Sequence, residues 1–275
     1  MLNPDELSVV FGFLDYSDYQ TALVCKEWSR LFNHSQRFSI VVNPPSGLRS
    51  IWSYMQPGAW RRVTVRSEPA LTKTCPVAGS WFTSVQSIKL SDVNFRLDEL
   101  KTLLDSSVRR LTLELFGLCE IDDQIFKPRL DALTMDYTSL SYLSGACDMS
   151  DVKNIYLDFE VDDPDNMDDL FTFNKQIQTV HMKKTKGVLN VDGARIKHLI
   201  IYEATFNFMY DKPTTKIDTL TIHSLVTYCV SLTWVFRYLC SLNCSEYRIT
   251  VTNGQEAFAR SWLPRDRLYL TVREN

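Results

Sequence analysis

The sequence is short of the motifs that usually announce chemistry. Among 275 residues there are nine glycines and four histidines. No glycine-rich loop is arranged to cradle a phosphate, and neither GxSxG nor HExxH occurs, so the usual signs of nucleotide binding, serine hydrolysis and zinc proteolysis are missing. No CxxC pair occurs. The seven cysteines stand scattered at 25, 75, 119, 147, 229, 240 and 244. An odd, dispersed set points to free thiols in a reducing compartment, not to disulfides or a zinc site. There is no excess of one charge. Thirty basic against 33 acidic residues give a net charge of −3, so no overall field recruits nucleic acid. The start, Met-Leu-Asn-Pro-Asp-Glu, has no basic-apolar leader. The longest apolar run, Leu225 to Leu242, is interrupted by Arg237 and several hydroxyls, which favours a buried helix over a membrane span. These absences predict a soluble cytoplasmic or nuclear protein with no cofactor and no intrinsic catalysis.

Apolar residues supply 45% of the chain, enough for a large folded core. The densest local signal is residues 2–32. Asn3 is placed to cap a helix that begins at Pro4, with Glu6 at its third position, a capping-box arrangement with proline where its missing N–H costs nothing. Leu7, Val10, Phe11 and Leu14 then recur at helical spacing. Ser17 and Gln20 repeat the capping-box spacing and open a second helix. Val24-Cys25-Lys26-Glu27-Trp28 leads into a third. Thirty residues cannot build a self-sufficient core, so this apolar surface is expected to bury against something else.

The stretch resembles an F-box, the three-helix module that docks onto the Skp-family adaptor of SCF-type ubiquitin ligases. Leu2, Pro4, Phe11, Phe13-Leu14 and Val24-Cys25-Lys26-x-Trp28 carry the likeness. Asn3 in place of the usual proline, Glu6 at a usually apolar place and a second helix about one residue short depart from the pattern. The resemblance implies adaptor contact through Leu2, Pro4, Leu7, Phe11, Leu14, Leu23, Val24 and Trp28, some of which must instead build the module's own core.

A repeat occupies the remainder. An apolar residue, two others, an apolar residue, one other and a third apolar residue recur as Val85/Ile88/Leu90, Val108/Leu111/Leu113, Leu130/Leu133/Met135 and Val152/Ile155/Leu157. The series continues as Ile177/Val180/Met182, Ile196/Leu199/Ile201 and Ile217/Leu220/Ile222. First positions lie 23, 22, 22, 25, 19 and 21 residues apart. Periods in the twenties with this core are the mark of leucine-rich repeats, each contributing one short strand that buries its edge only by stacking on its neighbours. Trp60/Val63/Val65 reads as an earlier unit; Ile249/Val251 and Leu268/Leu270/Val272 read as later ones. Leu97, Leu100, Leu103 and Leu104 predict a return helix, and a second is predicted from Leu225 through Tyr238. The asparagine or cysteine that usually bonds the turn backbone is absent: Val93, Phe116, Thr138, Glu160, Thr185, Ala204 and Leu225 stand there.

The expected fold is therefore α/β: an F-box over 1–36, a packed junction over 37–59, and a degenerate leucine-rich-repeat solenoid over 60–275 with a parallel sheet of about eight to ten short strands. Strand alternation turns the intervening residues to the concave face. The expected target-binding set is Glu114, Asp136, Tyr156, Asp158, His181, Lys183, Ile200, Tyr202 and His223: an acidic stripe, a basic step and an aromatic-aliphatic patch. Residues 158–169, with seven carboxylates in twelve positions, predict a solvated acidic return loop. His181, His198 and His223 fall in successive repeats, but His198 is offset and no carboxylate or thiol completes a metal set. The resemblance implies a substrate-recognition subunit, partnered with the adaptor, through it with cullin and RING subunits, and with a protein target. The alternatives are a scaffold subunit of a stable adaptor-bound assembly, or a free-standing repeat binder capped by its N-terminal helices.

Overall fold

A computed structural model describes residues 37–42, 62–67, 85–105, 107–119, 125–162, 167, 174–189, 191, 193–206, 214–226 and 231–273. The F-box-like segment 1–36 lies outside them, as does 43–59. The chain divides into two compact units, Met1–Leu133 and Thr134–Asn275. Both are mixed α/β, and the paired strands are parallel.

In the first unit β1 (Arg37–Val42), β2 (Arg62–Ser67), β3 (Ser87–Ser91) and β5 (Arg110–Glu114) pair in that order. Phe38, Val63, Ile88 and Leu111 fall in one cross-strand row, and Ile40, Val65, Leu90 and Leu113 in another. Arg37–Val42, in the segment expected to be a junction, is thus paired with β2 in the phase of the repeats. Asp92 and Leu115 stand at the same repeat position and both adopt a left-handed backbone, φ 54° and 48°. That turn sends the chain into β4 (Asn94–Arg96) and β6 (Gly117–Cys119), which pair as a small second sheet. Backbone bonds run between repeats, from Asp92 N–H to the Glu114 carbonyl at 2.9 Å and from Gly117 N–H to the Val93 carbonyl at 3.1 Å. Helix α1 (Leu97–Leu104) forms where the leucine spacing predicts it, and all four leucines are buried. β7 (Ala132–Met135) falls at the division between the units.

In the second unit β8 (Asn154–Val161), β9 (Gln176–Thr185), β10 (Arg195–Thr205), β11 (Lys216–Ile222), β13 (Glu246–Thr252) and β14 (Leu268–Arg273) pair in that order. The short β12 (Leu225–Val226) pairs with the end of β10. The three apolar positions of all seven units are at most 3% exposed. Burying a leucine or isoleucine stabilises by roughly 1.5–3 kcal/mol, so this stripe is the main source of cohesion.

The second unit shows a further repeat that the sequence pattern misplaced. Register puts Tyr247 opposite Leu220 and Ile249 opposite Ile222, so the unit is Cys244/Tyr247/Ile249, not Ile249/Val251. All three are buried. A tyrosine fits there because its hydroxyl accepts from the Cys244 N–H at 2.9 Å and donates to the Leu239 carbonyl at 3.1 Å. Burial holds the Cys244 thiol up at about 12, an inert packed group.

The helix expected from Leu225 begins later. Leu225–Val226 is strand, and α3 spans Leu232–Ser241 with Ser231 as its N-cap. The apolar run hid the boundary, which a single serine sets. Helix α2 (Tyr137–Ser144) follows β7, and α4 (Asn253–Trp262) packs on α3, β13 and β14. Gln255 ties α4 to the array: its side-chain oxygen accepts from Thr252 N–H, and its amide donates to the Leu225 carbonyl.

Candidate functional site

Alternation leaves the residues between the buried ones on the opposite, outer face of the second unit's sheet. The rows there follow from register. One contains Tyr156, His181, Ile200, Thr221, Arg248 and Tyr269; a second contains Asn154, Thr179, His198, Thr219 and Glu246. Asp158, Lys183 and Tyr202 lie two residues further along their strands than the first row, and His223 lies just past the end of β11 at the equivalent position.

Four of these side chains form a ring ladder. Tyr156 stacks on His181 with centroids 4.1 Å apart and planes 13° from parallel. His181 stacks on Tyr202 at 6.1 Å, and Tyr202 on His223 at 5.2 Å. These spacings lie on either side of the strand spacing of about 4.8 Å, as expected for rings carried on neighbouring strands. Between His181 and Tyr202 the ladder steps diagonally, since Ile200, not Tyr202, stands opposite His181. A contact of 3.3 Å between His181 Nδ1 and the Tyr202 hydroxyl bridges that step. Half-burial in the ladder, and secondarily the like charge of His223, lower the His181 pKa from its ordinary value.

Two hollows flank the ladder. One, about 370 Å³, is lined by the first two rows across five strands, with His181, His198, Ile200 and the threonines between them at its centre. Its far end carries Glu246 and Arg248, bonded to each other at 2.7 Å, with Arg248 above the Tyr269 ring at 5.8 Å. The other, about 210 Å³, is lined by Thr134, Tyr156, Asp158, His181, Lys183 and Tyr202.

The expected target-binding residues separate into two kinds. Tyr156, His181, Tyr202 and His223 make the ladder, and Ile200 lines the larger hollow. The charged members are engaged by the protein itself. Asp158 accepts from Lys183 at 2.6 Å; Glu114, in the first unit, accepts from Lys89 at 2.5 Å and from Ser91 at 3.2 Å. Asp136 caps α2, accepting from the Ser139 N–H at 2.8 Å. The expected acidic stripe is therefore a set of local pairs and a helix cap. The lysines beside it are engaged too: Lys184 reaches Glu160 and Glu203, and Lys186 lies 2.5 Å from Asp162, a bond that raises its pKa. Asp158 to Val161, expected to open an acidic return loop, are instead the end of β8.

Sequence reasoning left His198, Thr179, Thr219, Glu246 and Arg248 out of the site. Arg248 was readable once Tyr247 counted as a core position. The expected adaptor-binding residues, Leu2, Pro4, Leu7, Phe11, Leu14, Leu23, Val24 and Trp28, lie outside the described residues. Among the described residues no three His, Cys, Asp or Glu side chains converge as a metal set, and no helix is long and apolar enough to cross a membrane. No family model and no curated protein matches the chain.

Proposed function

We propose that this protein is the target-recognition subunit of an SCF-type ubiquitin ligase, an F-box protein whose N-terminal segment holds a Skp-family adaptor and whose leucine-rich-repeat solenoid holds a protein target. The observation that carries the second half is the outer face of the second unit. It offers stacked tyrosine and histidine rings and two hollows, with its carboxylates and lysines largely paired among themselves. Aromatic anchors of this kind dominate protein recognition, whereas self-paired charges contribute little. The first half rests on the Leu2-to-Trp28 motif. In this reading the protein supplies no catalytic group. It raises the effective concentration of a target lysine beside the ubiquitin-charged enzyme, and its compartment is cytoplasmic or nuclear.

The test is co-expression with a Skp-family adaptor. The wild type is compared with Leu14→Glu and with a chain starting at Gln36, which keeps β1. The reading expects a 1:1 complex for the wild type and loss of the adaptor in both variants. A wild type that ignores the adaptor overturns it. Cullin recovered with the complex separates a ligase receptor from an adaptor-bound scaffold.

A further inference from the structure

The ring ladder advances one ring per strand from β11 back to β8 and ends on Tyr156. At the next repeat the equivalent position is Thr134, since Leu130/Leu133/Met135 places Thr134 as Val152/Ile155/Leu157 places Tyr156. Where a fifth ring belongs there is a hydroxyl and a methyl; the hollow of about 210 Å³ opens there, within the second unit, and runs along the ladder past Tyr156 to Lys183 and Tyr202. A tyrosine ring has two faces. His181 covers one face of Tyr156 at 4.1 Å, and Tyr156 shares the hollow with Thr134.

We propose that this hollow is a subsite for one aromatic side chain of a protein target, which stacks on Tyr156 as the next ring of the ladder. The inference deepens the target-binding reading above and rests on it. Three observations select the ring. The volume suits it, because an apolar cavity of roughly 150 Å³ already accommodates benzene. The wall offered is a ring face at the end of a run of near-parallel rings, which favours a planar partner over a branched aliphatic one. The charges at the rim, Asp158 and Lys183, are bonded to each other at 2.6 Å, so the site presents no lone charge to a guanidinium or a carboxylate. A phenol hydroxyl or indole N–H can still reach that polar rim.

The probes are N-acetyl-tyrosinamide, N-acetyl-leucinamide and N-acetyl-argininamide, titrated against the full-length chain and followed by saturation-transfer NMR. The tyrosine amide is expected to bind more tightly than the other two. Tyr156→Leu removes the ring face, and Thr134→Phe fills the slot with the protein's own ring; each is expected to weaken tyrosine-amide binding about tenfold, the scale of one lost ring stack. Thr134→Phe completes the ladder, so its thermal midpoint should not fall, which keeps the test independent of misfolding. Equal or tighter binding of the leucine or arginine amide, no saturable binding of the tyrosine amide, or tyrosine-amide binding that survives both variants overturns the proposal. Adaptor retention is measured on the same samples. A lost ring site with the adaptor retained overturns only the subsite, whereas a wild type that binds the tyrosine amide but no adaptor overturns the ligase reading and leaves the subsite standing.

Discussion

The outward positions of β3 and β5 in the first unit, and of β8 to β11 in the second, sit on the same repeat and carry different chemistry. In the first, Lys89 bonds Glu114, and Ser91, 7% exposed, donates to the same carboxylate. That surface satisfies itself. In the second, flat rings stack edge-outward, and Tyr202 remains 46% exposed. The inward residues do not distinguish the two: Leu90, Leu113, Leu157, Met182 and Ile201 are all buried. A repeat thus fixes the scaffold and leaves the outer face free to vary, and the proposed recognition draws on that variable half.

The largest effect that sharpens this contrast lies within one strand. Leu199→Ala is expected to destabilise the chain by about 2–5 kcal/mol, because a fully buried leucine leaves a cavity. Its neighbour Ile200→Ala, on the outer face, is expected to cost far less and, under the proposed target-binding role, to weaken binding instead; urea denaturation read beside a binding assay separates the two. A smaller loss, about 1 kcal/mol, is expected for Asp136→Ala, because its carboxylate caps α2; Asp136→Asn should recover most of it. If Asp136→Ala instead left stability unchanged and weakened binding, the residue would belong to the recognition surface after all. Smaller still is Lys89→Met, expected to change stability by at most about 1 kcal/mol, because the Lys89–Glu114 pair is well exposed on both sides.

The pH response contrasts the two surfaces most finely. His181 has a folded pKa below its ordinary 6.5. The unfolded chain therefore takes up the proton first as pH falls, and the stability this group contributes is present above pH 6.5 and declines as pH drops toward the folded value. Denaturation midpoints should fall slightly across that window, and His181→Gln should remove that part of the slope. His223→Gln should raise the His181 pKa, read by NMR titration, by removing the like charge. A downward or absent shift would show that the two rings do not sense each other.

Much of the scaffold was legible in the sequence. The three-position apolar pattern located the buried stripe because an inward side chain in a stacked strand must be apolar, and local spacing records that. Cys244/Tyr247 escaped the pattern because a tyrosine is tolerated there only through two hydrogen bonds to backbone brought in by α3 and the strand's own turn. The start of α3 escaped because a continuous apolar run carries no boundary of its own. Of the candidate site, alternation gave the face but not the neighbours. The spacing between units varies from 19 to 25 residues, so which outward residues meet depends on register.

By itself, then, the sequence determined which residues of the seven regular units turn inward and which side chains are available on the outer face, since these follow from periodicity along the chain. Tertiary structure alone decided that Tyr156, His181, Tyr202 and His223 stack as one ladder with a diagonal step. It also decided that Asp158 meets Lys183 and that Thr134 leaves room beside Tyr156. Those are contacts between residues about twenty positions apart, and only the pairing of strands brings them within reach.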